Sequence, residues 1–350
     1  MNSVTSDMDV KALTNPDSIR IEILRLIRLA TDSAPKEQVR LVISSWYLNP
    51  DTVMDKDDKS TIGNLLNELK QTNAQIQVNL SNHYVKLLNL KALLRLRSMG
   101  VPANYSRSAP LGTNHEKVVA LSIGDTHYLI LGSAEMNNYR LHDKGGKSYE
   151  IALMFKIESP ERPQTLEEYF KLFSNDQFAI YYFNPLSSAP HYVSAQEVFE
   201  EVLKAGKKSI EFFDQFGLIK STGLGPLVAR LRAEGSSVSM CVPRSARPHH
   251  FVSQIRRRRN HPDIPVNIPE HDQLGRQVEH RKAVIAIGDD ATTPRAFIGT
   301  VNLAKRSFYG HGQNPIGMDS EAGVLITDGH AVSQLLIGLR RPQVGSISLT

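Results

Sequence analysis

The amino-acid sequence predicts an α/β fold of two similar lobes, each a mixed β-sheet flanked by helices, with one site where the lobes meet. Three observations lead there. Apolar, β-branched runs alternate with stretches of helical periodicity, the pattern of sheets covered by helices. The order of these elements in the first half returns in the second. Each half also carries the same short series of polar residues between its strands. The 350 residues give room for two domains of ordinary size.

Over 17–30 apolar residues recur at helical spacing behind an Asp or Ser able to cap, so a helix is expected. Residues 39–48 read as a strand running into a loop at Asn49-Pro50. A helix is expected over 62–71, a strand over 74–80, and a helix over 85–99 that Gly100 ends. In the second half, 209–213 is a strand, 223–234 a helix closed by Gly235, and 237–242 the next strand. The stretch 160–190, with four prolines and a serine pair, reads as the connection. The boundary is placed near residue 175, giving lobes over 1–175 and 176–350.

Composition narrows the class. Apolar residues make up 41% and charged residues 22%, which is ample for a core and excludes disorder except at the ends. No apolar run approaches the roughly 18 residues of a membrane span. The opening residues are polar and include Asp7 and Asp9, unlike a secretory signal or transit peptide, so a cytoplasmic location is the expectation. Cys241 is the single cysteine, which excludes an internal disulfide and a cysteine-based zinc site. It lies in an apolar strand and reads as core. No phosphate loop, zinc spacing or calcium spacing is found, and neither a metal nor a cofactor is expected. The net charge of +5 leans toward an anionic partner, a phosphodiester polymer or a lipid headgroup, although such an excess is also common in proteins that bind neither.

Three H-x-K triplets occur, at His115-Glu116-Lys117, His142-Asp143-Lys144 and His280-Arg281-Lys282. Their downstream residues tell them apart. After Lys117 come an apolar run, a turn at Gly124-Asp125, a second run and Gly132-Ser133. After Lys282 come an apolar run, a turn at Gly288-Asp289, a second run and Gly299-Thr300-Val301-Asn302. Gly-Asp between apolar runs marks hairpins. Further on, Glu150 and Glu321 each precede another apolar run. His142 leads only to Gly145-Gly146 and reads as a loop histidine. Two copies of one order, about 165 residues apart, are hard to obtain by accident.

A His and a Lys two apart on a strand project from the same side, within reach of a Ser, Thr or Asn at the neighbouring strand end. Two such units face to face gather two imidazoles and two ammonium groups, which is what phosphodiester transfer without a metal requires. One histidine attacks phosphorus; the other protonates the leaving oxygen and then deprotonates water or an alcohol. Lysines and hydroxyls balance charge on the nonbridging oxygens. Each glutamate can take the far ring nitrogen of its histidine and fix the tautomer.

These residues resemble the duplicated H-x-K-x4-D-x6-G-S-x-N signature of the phospholipase D superfamily, over roughly 35–330. The resemblance implies His115 and His280 as the catalytic pair, with His115 the nucleophile and His280 the general acid and base; the residues themselves do not choose between the two. It implies Lys117, Lys282, Ser133, Thr300 and Asn302 as phosphate ligands and Glu150 and Glu321 as supports, Glu150 for His115. Arg306-Ser307-Phe308 resembles a run common in that family. The sequence also departs from the signature: Ser122 and Ile287 stand where Asp is expected, Asp125 offers a substitute in a longer hairpin, and Glu135 replaces the Asn, with Asn137 two residues late.

The implied activity is a metal-independent phosphodiesterase, foremost a nuclease acting on DNA or RNA. The alternatives are a phospholipase or phosphatidyltransferase, and a non-catalytic phosphate-binding relative. Arg256-Arg257-Arg258-Arg259 favours nucleic acid, but the tract reads equally as an exposed helix end. Trp46-Tyr47 reads either as cleft lining or as core. A duplicated chain is an internal pseudo-dimer able to act as a monomer, and a homodimer stays open.

Overall fold

The computed structural model describes residues 8–82, 86–106, 113–141, 148–183, 193–214, 219–241, 264–267, 278–289, 294–303, 308, 319–341 and 345–350. In chain order the first half runs β1 (Asp9–Leu13), α1 (Pro16–Ser33), β2 (Val39–Ser45), α2 (Ile62–Lys70), β3 (Gln75–Leu80), α3 (Lys86–Ser98), β4 (Ala103–Tyr105), β5 (Lys117–Ile123), β6 (Thr126–Gly132), α4 (Asn138–Leu141), β7 (Ser148–Tyr149), β8 (Ala152–Glu158) and α5 (Leu166–Phe173). The second runs β9 (Phe178–Phe183), α6 (Ala195–Lys204), β10 (Ser209–Phe213), a 3₁₀ turn (Ile219–Thr222), α7 (Gly225–Ala233), β11 (Ser237–Cys241), β12 (Val266–Asn267), β13 (Val278–Glu279), β14 (Ala283–Ile287), β15 (Arg295–Gly299), β16 (Glu321–Ile326), α8 (Gly329–Arg340) and β17 (Ser346–Ser348).

The predicted fold class is the observed one. The first sheet has the order β17-β1-β8-β6-β5-β2-β3-β4 and the second β12-β11-β10-β14-β15-β16-β9. Without β17, and read in opposite directions, the two orders match strand for strand. The parallel pairs match as well, β2 with β3 and β3 with β4 in one sheet, β10 with β11 and β11 with β12 in the other. The last strand, β17, pairs with β1 and so lies in the first sheet.

The sheets stack face to face with helices outside. Along β5, Val119 and Leu121 pack among the residues of α1 and α2. Val118 and Ala120 instead join Ile285 of β14 and Ile298 of β15 in a core between the sheets. On the far side Val284 and Ala286 pack with Val198, Phe199 and Val202 of α6. Strands buried on both faces read as continuous apolar runs rather than as alternation, which is how 118–121 and 283–286 appear in the sequence.

Several expectations change locally. The cap of α1 is Asn15, in a capping box with Ser18, and Pro16 opens the helix; Pro is pre-shaped for that position. The stretch 160–190, expected to be a connection, contains α5 and β9. Thr165 and Glu168 form a capping box for α5, whose buried Tyr169, Phe170 and Phe173 enter the core between the sheets. Among the described residues no helix is long and apolar enough to cross a membrane.

Candidate active site

Each half-site begins where a strand of one lobe meets the other lobe. Asn114 forms a parallel bridge with Ser320, and the His115 N–H donates to the Ser320 carbonyl at 2.9 Å. In the mirrored arrangement β13 pairs in parallel with β7, and the His280 N–H donates to the Tyr149 carbonyl at 3.1 Å. The residue after Ser320 is Glu321 and the residue after Tyr149 is Glu150. Each histidine therefore docks beside the glutamate of the opposite lobe.

The side chains complete this crossing. His115 Nδ1 lies 2.9 Å from Glu321 Oε2 and 3.1 Å from the Thr300 carbonyl. His280 Nδ1 lies 2.9 Å from Glu150 Oε2. The carboxylates and the carbonyl only accept, and they are closer to Nδ1 than Lys282 Nζ, which stands 3.4 Å from Nδ1 of His280. Nδ1 therefore carries the proton in both rings, and Nε2 is the nitrogen left for chemistry. The expectation that Glu150 supports His115 is corrected: Glu150 holds His280, and Glu321 holds His115. The distance of Glu150 from His115 in sequence gave no guide, because the contacts that pair each histidine with a glutamate cross between the lobes at β7–β13 and at the Asn114–Ser320 bridge.

Ser133 and Thr300, expected on phosphate, instead complete the two glutamates. Ser133 Oγ donates to Glu150 Oε2 at 2.6 Å and accepts from the Ile151 N–H. Thr300 Oγ1 donates to Glu321 Oε2 at 2.5 Å and accepts from the Ala322 N–H. The glycine ahead of each has a steric reason. A Cβ on Gly132 or Gly299 would lie 2.3 Å from the carbonyl oxygen of Ile151 or Ala322, so only glycine lets the strands close enough for these bonds. Asn302 is half-buried, and its Oδ1 has no hydrogen-bond partner among the described residues.

Lys117 and Lys282 are buried beside the histidines. Lys117 Nζ donates to the His115 carbonyl at 2.8 Å. Lys282 Nζ donates to the His280 carbonyl at 3.0 Å and stands 3.1 Å from His280 Nε2. Burial, then the neighbouring ammonium groups, hold His115 well below the ordinary histidine range. Burial, Arg140 and the two lysines do the same to His280. Burial, with Lys117 adding to it, takes Lys282 down to about 7. Burial also pushes Glu150 up, against the pull of Arg140 and Lys282. The physical cause is common to all: charged forms lose hydration inside the protein. Burial therefore disfavours the imidazolium in both rings, which suits His115 to attack phosphorus through Nε2, while His280 has to bind a proton at Nε2 before it can serve as an acid.

The departures from the signature have structural counterparts. Ser122 hydrogen-bonds His127 Nδ1 and the Tyr169 hydroxyl, each at 2.7 Å. Asp125 is an exposed turn residue paired with Arg162 at 2.5 Å and takes no part in the site. The Trp46 ring lies edge-on to His115 with centroids 5.8 Å apart, which resolves that aromatic as site lining. Sequence reading missed Arg140, 3.4 Å from Glu150 Oε1, and passed over Glu135 as a mere departure. No spacing rule pointed to Arg140, which a short helix after the site loop delivers. Cys241 is buried, as expected, and accepts weakly from Arg281. Arg256, Arg257, Arg258, Arg259, His142, Arg306 and Ser307 lie outside the described residues. Phe308 is buried against Phe199.

No family model and no curated protein matches the sequence. Solved structures do resemble the fold. Phosphatidylserine synthase from Haemophilus influenzae Rd KW20 is similar over 97% of this chain and 87% of its own, with a TM-score of 0.64 and 14% identity. Polyphosphate kinase from Porphyromonas gingivalis is similar over 92% of this chain and 46% of its own, with a TM-score of 0.56 and 14% identity. A mutant of yeast tyrosyl-DNA phosphodiesterase is similar over 84% of this chain and 82% of its own, with a TM-score of 0.52 and 9% identity.

Proposed function

We propose, taking the phospholipase D-type fold of this chain as premise, that it transfers or hydrolyses phosphodiesters through a phosphohistidine and without a metal. The observation that carries the reading is the crossed pair of His–Glu contacts, which occupies Nδ1 of each ring and leaves Nε2 for chemistry in a buried site with two lysines. His115 Nε2 attacks phosphorus as the bond to the leaving oxygen breaks, and His280, entering the step as the imidazolium, gives that oxygen its Nε2 proton and is left neutral. Water or an alcohol then attacks the phosphohistidine, its proton passes to His280 Nε2, and the N–P bond breaks. Lys117 and Lys282 balance the charge gathered on the nonbridging oxygens.

For the substrate, we favour nucleic acid. The net charge of +5 and the Arg256–Arg259 tract support it, as does likeness to a protein named for a DNA phosphodiester bond. A phospholipid headgroup is the second reading, supported by the likeness to phosphatidylserine synthase along nearly the whole chain. The test is a panel of bis-nitrophenyl phosphate, single- and double-stranded DNA, RNA and phosphatidylcholine vesicles, each assayed with EDTA present. Turnover of at least one diester at an undiminished rate in EDTA is expected. Full loss on chelation, restored by magnesium or manganese, contradicts the mechanism.

A further inference from the structure

The two half-sites differ in one residue at a decisive place. The third residue after Gly299 is the amide Asn302; the third after Gly132 is the carboxylate Glu135. Glu135 is 5% exposed. Its Oε1 lies 3.9 Å from His280 Nε2, the nitrogen that Glu150 does not use. Its other oxygen accepts from Asn137 Nδ2 at 3.2 Å and stands 4.0 Å from Arg140 Nε. Its charge is also felt at Lys117, His115 and Tyr47, so it sits in the middle of the site. A carboxylate there works against an anionic substrate, and its place needs a reason.

The groups around His280 supply one. Lys282, Lys117, Arg140 and His115 all oppose a positive charge on its ring. Glu150 faces Nδ1. Among the described residues, Glu135 is the carboxylate on the Nε2 side. We propose that Glu135 is a positioning residue of the transfer reaction, its carboxylate stabilising the imidazolium that His280 becomes each time Nε2 holds a proton. This rests on the phosphohistidine reading above. In the first step the Nε2 proton leaves to the departing oxygen, and in the second the proton of water or alcohol arrives at Nε2. Glu135 bonds to neither phosphorus nor substrate oxygen in either step. At His115 the charges of Glu135 and Asp319 are outweighed by burial and by Lys117 and Lys282, and Trp46 packs against the ring with centroids 5.8 Å apart.

The test uses Glu135→Gln and Glu135→Asn, the latter placing in the first half the amide found in the second. Methyl aryl phosphodiesters are compared from nitrophenyl to phenyl leaving groups, across pH. Loss of the carboxylate should move the alkaline limb of kcat/KM about one unit toward acid. The rate should fall little for nitrophenyl and on the order of a hundredfold for phenyl, which needs the proton. Glu135→Asp should recover part of both effects. A loss that is uniform across leaving groups and leaves the pH profile in place overturns the proposal, as does no loss at all. Titration of His280 by ¹⁵N NMR in wild type and Glu135→Gln reads the same coupling without turnover. A titration unmoved by the substitution overturns the proposal even where no diester is cleaved, and a downward shift supports it even then.

Discussion

The two half-sites share a frame and differ in the residues packed around their histidines. On both sides a glycine lets two strands close, a hydroxyl binds a glutamate, and that glutamate binds the histidine of the other lobe. Around His280 Nε2 stand Lys282 at 3.1 Å and Glu135 at 3.9 Å; His115 packs against Trp46, with Lys117 on its backbone carbonyl. Duplication thus supplied a symmetric scaffold, and single-residue divergence made its two ends unequal. A carboxylate 3.9 Å from His280 Nε2 suits that ring to hold and pass a proton.

The largest expected effect breaks the crossing itself. Glu321→Gln and Glu150→Gln should each lower kcat by about 10²- to 10⁴-fold, because an amide can hold the wrong tautomer. Combined with His115→Asn, Glu321→Gln should add almost nothing, whereas combined with His280→Asn it should add a further loss; Glu150→Gln should behave in the opposite way. Cycles that couple Glu150 to His115 instead would return the pairing to chain order.

A smaller effect concerns stability. Folded Lys282 titrates near 7, and the unfolded side chain near about 10.4. Between these values the unfolded chain binds more protons, so this group makes stability rise with pH from 7 to 10 and leaves its full penalty in place below 7. Lys282→Met should abolish activity yet raise Tm at pH 7 by a few degrees. It should also flatten the climb in Tm toward pH 10 that is expected of the wild type. Calorimetry across that range checks it, and a Tm that falls on substitution at pH 7 speaks against a buried, strained ammonium.

Much of this architecture was legible in the sequence. The H-x-K, strand, turn, strand, G-[S/T], Glu order placed both half-sites on the right strands, because buried hairpins advertise themselves as apolar runs split by Gly-Asp. The crossing was not legible. It depends on a two-residue pairing of Ser148–Tyr149 with Val278–Glu279 and a single bridge at Asn114, too short for any periodicity. Likewise α5 and β9 were hidden by flanking prolines, although the Thr165-x-x-Glu168 box was there to be read. Ser133 and Thr300 show a further limit: a hydroxyl after glycine suits a phosphate and a glutamate equally, and only the geometry of the strand beside it decides.

The claim that the two histidines are unequal is tested most directly by trapping the covalent intermediate. His280→Asn given a nitrophenyl diester should release a burst of nitrophenol and then stall, because no base activates water. Intact-mass and peptide mapping should place the phosphoryl adduct on His115, and His115→Asn should show neither burst nor adduct. An adduct on His280 in the His115→Asn protein, with none on His115 in the reciprocal variant, would contradict the assignment of roles.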